Sequence, residues 1–314
     1  MKKFIMLLLA IVFLAGCTKK TEIKIGVMQI VEHESLDKAS QGFVDEMKNL
    51  GYENGENVKF DFQNAGGDLS NCASMAEKFV SDGTDLILAI STPCAQAAGN
   101  ATKDIPILAT AITNFEGAGV VKSSKEPGTN VTGTSDLVPI DKIIELIPKL
   151  RPDIRKIGIL YSNIDISPEY QAKLAEKKVK ELGLESKVLT VSAAYEVQQV
   201  AEKLAKEVDA LYVPIDKITA SAMPQISQVF LNQNKFVVCA EDTMISKGAI
   251  ATYGMDYYEL GRMTAHQAAK ILKGESKPEN MPVEYLKGTK LNLNREIVKK
   301  LGIKISDELK GELQ

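Results

Sequence analysis

The sequence predicts an α/β protein made of two similar, doubly wound, parallel-sheet lobes. Three observations carry that expectation. Short β-branched runs alternate with longer helical stretches, the alternation restarts midway, and the second half repeats the first at nearly constant spacing. Strand–helix alternation favours a parallel sheet with helices on both faces, because each parallel crossover needs a connection the size of a helix.

Residues 24–30 (KIGVMQI) read as a buried strand, and 36–50 as a helix closed by Gly51. Glycine past a helix end tolerates the left-handed turn that stops it. A strand at 58–63, a helix at 69–80 and a strand at 86–90 follow, then a helix opening at Pro93. Strands at 106–110 and 131–134 complete the first series, and a helix at 141–150 leads to the restart at 156–162.

The restart is the most informative feature. KIGVMQI at Lys24 is matched 132 residues later by KIGILYS at Lys156, and Lys48-Asn49-Leu50-Gly51 at the same offset by Lys180-Glu181-Leu182-Gly183. DLILAIST from Asp85 resembles DALYVPID from Asp209 at an offset of 124, and ILATAIT from Ile107 resembles VVCAEDT from Val237 at 130. Strands resemble one another, so one match means little. Four in order imply two copies of one lobe.

Ligands of open parallel sheets bind beyond the carboxyl ends of the strands. If those ends face each other, the loops of both lobes line one cleft. The candidates are then residues 29–33, with Gln29, Glu32 and His33 foremost, opposite Ser162 and Asn163, Ser91 and Thr92 opposite Asp216, and residues 110–113, with Thr110 and Thr113 foremost, opposite Asp242 and Thr243. Lobe 1 offers mainly neutral hydroxyls and lobe 2 carboxylates.

Thr92 stands where an N-cap belongs, with Pro93 at the first helical position, so the free amides of that helix form a seat for a carboxylate. Capping alone would also explain Thr92. Asp216 and Asp242 suit a cationic group, but each also precedes a helical stretch and could spend its carboxylate as a cap; one of the two is expected to bind ligand. A zwitterionic amino acid would satisfy both poles. His33 either contacts ligand or is a solvated loop histidine. Phe115, Tyr161 and Tyr195 are candidates for an aromatic wall.

Lys2 and Lys3 followed by the apolar run 4–14 form a signal-peptide pattern, too short for a bilayer span of roughly twenty residues. Leu14-Ala15-Gly16-Cys17 places small residues before a cysteine, like the bacterial lipobox, with Cys17 lipidated as the mature N-terminus. The protein is therefore expected outside the cytoplasm, lipid-anchored to a bacterial membrane. From Cys17 the chain has 298 residues, enough for two domains, and loss of Lys2 and Lys3 moves its net charge from −3 to −5. No basic block suggests nucleic acid. Beyond Cys17, Cys72, Cys94 and Cys239 form no CxxC and there are only two histidines, which argues against a zinc or redox site. Three buried free thiols is the favoured reading, with a Cys72–Cys94 disulfide conceivable. GxGxxG, Walker A and GxSxG motifs are absent, so neither catalytic residues nor a cofactor are expected.

Residues 23–303 resemble the solute-binding lipoproteins of ABC importers related to tryptophan- and tyrosine-binding proteins. The resemblance rests on GVMQIVEH from Gly26, Ser91-Thr92-Pro93, Asn130-Val131-Thr132-Gly133 and ATYGMDYYELG from Ala251. It departs from the usual pattern at Glu34-Ser35-Leu36 and Ile112-Thr113-Asn114. The resemblance implies a type I periplasmic-binding-protein fold with three chain crossings, an aromatic amino acid as solute, and cognate permease and ATPase subunits. A sensory module feeding a receptor, or a binder of a solute other than an amino acid, would use the same closed cleft. The crossings are expected at 135–139, which brings in Ser135 and Asp136, at 254–256, which brings in Asp256, and at 281–282. Lobe 1 is then 23–137 plus 257–281, and lobe 2 is 138–256 plus 282–314, after a leader (1–16) and a tether (17–22). In the helix after Asp256, Gly261, Ala265, Ala268 and Ala269 allow close packing on lobe 1, and His266 falls on the helix surface.

Overall fold

Two six-stranded sheets carry the two halves of the chain. The computed structural model describes residues 22–286 and 289–313; the expected leader, Cys17 and nearly all of the tether lie outside the described residues. In the first sheet β1 (Ile23–Gln29), β2 (Val58–Asn64), β3 (Leu86–Ile90), β4 (Ile107–Ile112) and β5 (Val131–Ser135) are parallel, in spatial order 2-1-3-4-5. In the second, β6 (Lys156–Ser162), β7 (Glu185–Val191), β8 (Ala210–Val213), β9 (Phe236–Cys239) and β10 (Ala251–Gly254) reproduce that order as 7-6-8-9-10. The internal repeat is a repeat of topology. Short β11 (Glu284–Tyr285) extends the first sheet beside β5, and β12 (Lys290–Leu293) closes the second antiparallel to β10.

The helices are α1 (Glu34–Asn49), α2 (Leu69–Ser81), α3 (Thr92–Ala101), α4 (Ile140–Leu150), α5 (Ile166–Glu181), α6 (Val197–Glu207), α7 (Lys217–Ser221), α8 (Met223–Leu231), α9 (Tyr257–Leu272), α10 (Arg295–Lys300) and α11 (Asp307–Gly311). Every residue of β3 and β4 is buried, as expected of central strands covered on both faces, which read as unbroken apolar runs. On α4, Ile143, Ile144, Ile147 and Leu150 form one buried stripe, the helical spacing that the sequence shows. Gly51 and Gly183 follow α1 and α5 at φ 89° and 71°, the left-handed turn expected there.

Two expectations need correction. β11 pairs with β5 through Glu284 and Tyr285, so the chain is still in the first sheet at Tyr285, beyond the crossing expected at 281–282. A two-residue strand after Pro282 carries no periodicity, so pairing on a free sheet edge decides its lobe. The helical stretch expected after Asp216 is two helices, α7 and α8, broken at Ala222 because Pro224 has no N–H to continue the first.

The second crossing feeds α9, which packs on α1 of lobe 1 at backbone distance. A Cβ built on Gly42 would stand 2.0 Å from the Tyr258 carbonyl oxygen, and one on Gly261 2.0 Å from that of Ala39. Beside this seam Arg262 Nε donates to the buried Glu46 carboxylate at 2.9 Å, and His266 Nε2 lies 3.0 Å from its other oxygen. Arg262 is the main reason Glu46 titrates below the usual carboxylate range. His266 is half exposed, as its place on the helix suggests.

Candidate functional site

In a 2-1-3-4-5 sheet the strand order reverses between β1 and β3, and a crevice opens there at the carboxyl ends. The equivalent reversal in lobe 2 lies between β6 and β8. The two crevices face each other and enclose a cavity of about 370 Å³, within the range of small-molecule sites. The lobes meet across it: Ser35 Oγ donates to Glu241 Oε1, and the Thr92 and Ser167 hydroxyls lie 2.8 Å apart.

The hinge end is anionic. Asp136, fully buried in the first crossing, accepts from Thr113 Oγ1 at 2.9 Å and from Tyr257 Oη, in the second crossing, at 3.1 Å. Burial pushes its carboxyl up to about 6, against the pull of those two hydroxyls. Glu241, also buried, accepts from Ser35 and from Thr243 Oγ1 (3.0 Å). Burial likewise raises the Tyr257 phenol, which holds it as a donor.

Donors come from the strand-end loops. His33 caps α1, its Nδ1 accepting the Ser35 N–H at 3.4 Å. A ring nitrogen that accepts carries no proton, so the neutral imidazole bears its proton on Nε2. That Nε2 is buried without a partner; Ser91 Oγ is too, but Ser91 does not line the cavity. Ser91 caps α3 at φ 97° and Ala111 lines the cavity at φ 56°, conformations that side chains rarely adopt and that gather at ligand sites. Lys217, at the start of α7, adds a cation. The rest of the wall is largely apolar, with Ile30, Leu36, Leu69 and Pro93 from lobe 1 and Ile164, Pro168, Ile215 and Ile218 from lobe 2.

Of the residues chosen from the sequence, the fold brings His33, Thr92, Thr113, Asp136, Ser162 and Asp216 to this cavity. Asp216 spends its carboxylate as a cap: Oδ1 accepts the Thr219 N–H at 2.8 Å, and Oδ2 accepts the Ser162 N–H and Oγ at 2.7 and 2.5 Å. Asp242, Thr243 and Asp256 line a separate pocket behind the hinge, where Asn292 Nδ2 donates to Asp242 at 3.1 Å and burial raises the Asp242 carboxyl. Gln29 is turned inward, donating to the Val31 carbonyl and to Asp37. Thr110 bonds Thr134 and Ser135 the Thr113 carbonyl, so both brace the sheet. Glu32 and Asn163 are exposed. Thr92 is the first residue of α3, one position inside the cap expected of it.

None of the three aromatic candidates lines the cavity: Phe115 is buried in the lobe 1 core, Tyr161 is half-buried elsewhere, and Tyr195 is 85% exposed. Tyr257 is the aromatic residue that does. Glu241 escaped notice although the repeat names it: at the offset of 130 it is the partner of Ala111, which lines the cavity from lobe 1. Among the described residues no helix is long and apolar enough to cross a membrane, and no three His, Cys, Asp or Glu side chains could together hold a metal ion.

Residues 24–312 match the family model described as ABC transporter substrate binding protein. The chain is 43% identical over 288 residues to the tyrosine-binding protein of Clostridioides difficile, covering 90% of this chain and 83% of that one. It is similar to the crystal structure of an ABC domain in complex with L-Trp from Streptococcus pneumonia, with TM-score 0.88 and 35% identity over 93% of this chain and 99% of that one. A ligand-free, open substrate-binding protein with adhesive properties from Clostridium difficile matches with TM-score 0.76 and 40% identity, over 93% of this chain and 98% of that one. The tryptophan-bound shape is thus the nearer of the two despite its lower identity, in keeping with the bonds that join the lobes here.

Proposed function

The chain belongs to the ABC transporter substrate-binding protein family, and from that premise we propose that its interlobe cavity captures an aromatic amino acid. Proteins of this family work outside the cytoplasm as the ligand-binding components of ABC transporters. The cavity carries the finer reading: buried carboxylates and the His33 donor stand close together, with His33 Nδ1 3.8 Å from Glu241 Oε1, and the rest of the wall forms an apolar slot. A zwitterion has matching charges, and an aromatic side chain fills the slot. The ammonium goes to Asp136 and Glu241 at the hinge. The carboxylate takes the His33 Nε2–H, Lys217 and the opening amides of α3, where free N–H groups favour an anion. The tyrosine and tryptophan of the two relatives named above agree with this assignment.

Lipidation at Cys17 would keep the protein at the membrane beside its permease and ATPase. Closure traps the solute by its greater affinity for the closed form, with no covalent step.

The test is a thermal-shift survey of the twenty amino acids on protein beginning at Thr18, unfolded and refolded first to remove bound ligand. At about 100 times its dissociation constant a ligand adds about 2.7 kcal/mol, a rise of several degrees. The chain contains no tryptophan, so bound tryptophan would be the sole indole emitter. A rise confined to aromatic amino acids is expected; none with any amino acid would sink the assignment. His33→Asn probes the His33 donor, since asparagine still caps a helix but lacks the Nε2–H. The melting temperature should stay near that of the wild type while affinity falls about tenfold, the worth of one hydrogen bond to a charged group. Unchanged affinity would place the carboxylate elsewhere.

A further inference from the structure

Cys72 on α2 and Cys94 on α3 play no part in capturing the amino acid. Their sulfurs lie 3.7 Å apart, both side chains are fully buried, and both are free thiols in the structure. They sit behind the lobe 1 wall of the cavity. Leu69, the first residue of α2, and Thr92 and Pro93, the first two of α3, line it within one turn of the two cysteines.

We propose that Cys72 and Cys94 form a redox modification site, closed outside the cytoplasm into a disulfide that staples α2 to α3 behind the ligand cavity. Three observations converge on the pair. The two sulfurs are already in van der Waals contact, so closure to the roughly 2.05 Å of a disulfide needs a displacement smaller than one bond length. The two helices come from different crossovers, so the bond would join elements that packing alone now holds together. A substrate-binding protein works in a compartment where such bonds form and persist.

The oxidant is a disulfide, carried by a thiol oxidoreductase or by a small molecule such as oxidised glutathione. The Cys72 thiolate attacks one sulfur of that disulfide and expels the first thiolate. The Cys94 thiolate then attacks the Cys72 sulfur of the mixed disulfide and expels the second. One S–S bond breaks and one forms, two electrons pass from the cysteines to the oxidant, and the two thiol protons end on the released thiols. The reverse order, with Cys94 attacking first, balances in the same way and gives the same bond. Because both sulfurs are buried in the folded lobe, exchange takes place during folding after export, before α3 settles on α2.

Cys239 supplies an internal reference. It is buried on β9 in the other lobe, and burial raises its thiol far above the usual range. Protein beginning at Thr18 is refolded from denaturant with oxidised glutathione, desalted, and alkylated in fresh denaturant. One alkylated thiol per chain, mapped to Cys239, with a mass lower by two hydrogens is expected; the same protein refolded with dithiothreitol should show three. The oxidised form should also unfold at higher urea than the reduced form. That difference should vanish in Cys72→Ala/Cys94→Ala. Three thiols after oxidative refolding, or a mixed disulfide that Cys94 never resolves, would overturn the site. Equal urea midpoints for the two wild-type forms would overturn the staple. The thiol count uses wild-type protein and no ligand, so it stands or falls apart from the amino-acid assignment.

Discussion

Asp136→Asn is expected to lower affinity for the amino acid at least 100-fold while leaving the ligand-free protein folded and more stable at pH 7.5. The carboxyl is completely buried and titrates near 6 in the folded chain, against 3.8 for the free group, because burial disfavours its charge. A raised folded-state value means that the stabilising contribution is complete below about pH 4 and is lost as pH rises through 6. Above that point the folded protein holds a buried charge with two hydroxyl partners and no cation bonded to it. Raising a carboxyl that far costs about 3 kcal/mol once it is ionised, an upper figure for what asparagine can relieve. The ammonium of the ligand would supply the missing counter-charge, and deleting one member of a buried charge pair costs about 3–5 kcal/mol. The same proton competes with ligand in the wild type, so affinity should fall about tenfold per pH unit below 6. Calorimetric titration at pH 5, 6 and 7.5, with urea unfolding of the ligand-free proteins, checks both parts. A flat profile with undiminished binding by the variant would move the ammonium to Glu241.

The same residues show what a sequence can and cannot disclose. The lobes were legible because the middle of each repeated strand is buried on both faces and is mostly apolar, a local constraint that survives divergence. KIGVMQI and KIGILYS accordingly fold as β1 and β6 at equivalent places in their sheets. Loop positions follow no such period. Asp242 and Glu241 are adjacent carboxylates past the end of β9, and a rotation of one residue lets Glu241 line the cavity while Asp242 lines only the pocket behind the hinge. Only counting the repeat from Ala111 separates them. The slot itself was illegible, since Ile164, Leu69 and Ile218 meet only through the facing of two lobes and each looks like an ordinary apolar residue. The aromatic candidates failed for the same reason. Ring size says nothing about which surface a ring will reach, and Phe115 went to the core while Tyr195 went to solvent.

Gly261→Ala should unfold the protein about 5–10 °C earlier, the reverse of what helix propensity alone predicts. In an open helix the change gains up to about 1 kcal/mol. Here the added methyl would lie 2.0 Å from the Ala39 carbonyl oxygen and 2.8 Å from the Phe43 nitrogen, backbone atoms that can yield only if α1 and α9 separate. Overpacking at a backbone contact costs about 3 kcal/mol or more, and for a chain of this length each kcal/mol is worth about 2–4 °C. Gly311→Ala is the matched control, because that glycine lies in α11 with open space around it, so its melting temperature should hold or rise slightly. The seam also governs the site. Tyr257 opens α9 and its hydroxyl is bonded to Asp136, so a shift of α9 would draw that donor from the hinge carboxylate. Gly261→Ala is therefore expected to weaken ligand binding from a position that does not line the cavity. A melting temperature equal to that of Gly311→Ala would show that α1 and α9 tolerate the methyl, and would leave Tyr257 positioned by the crossing alone.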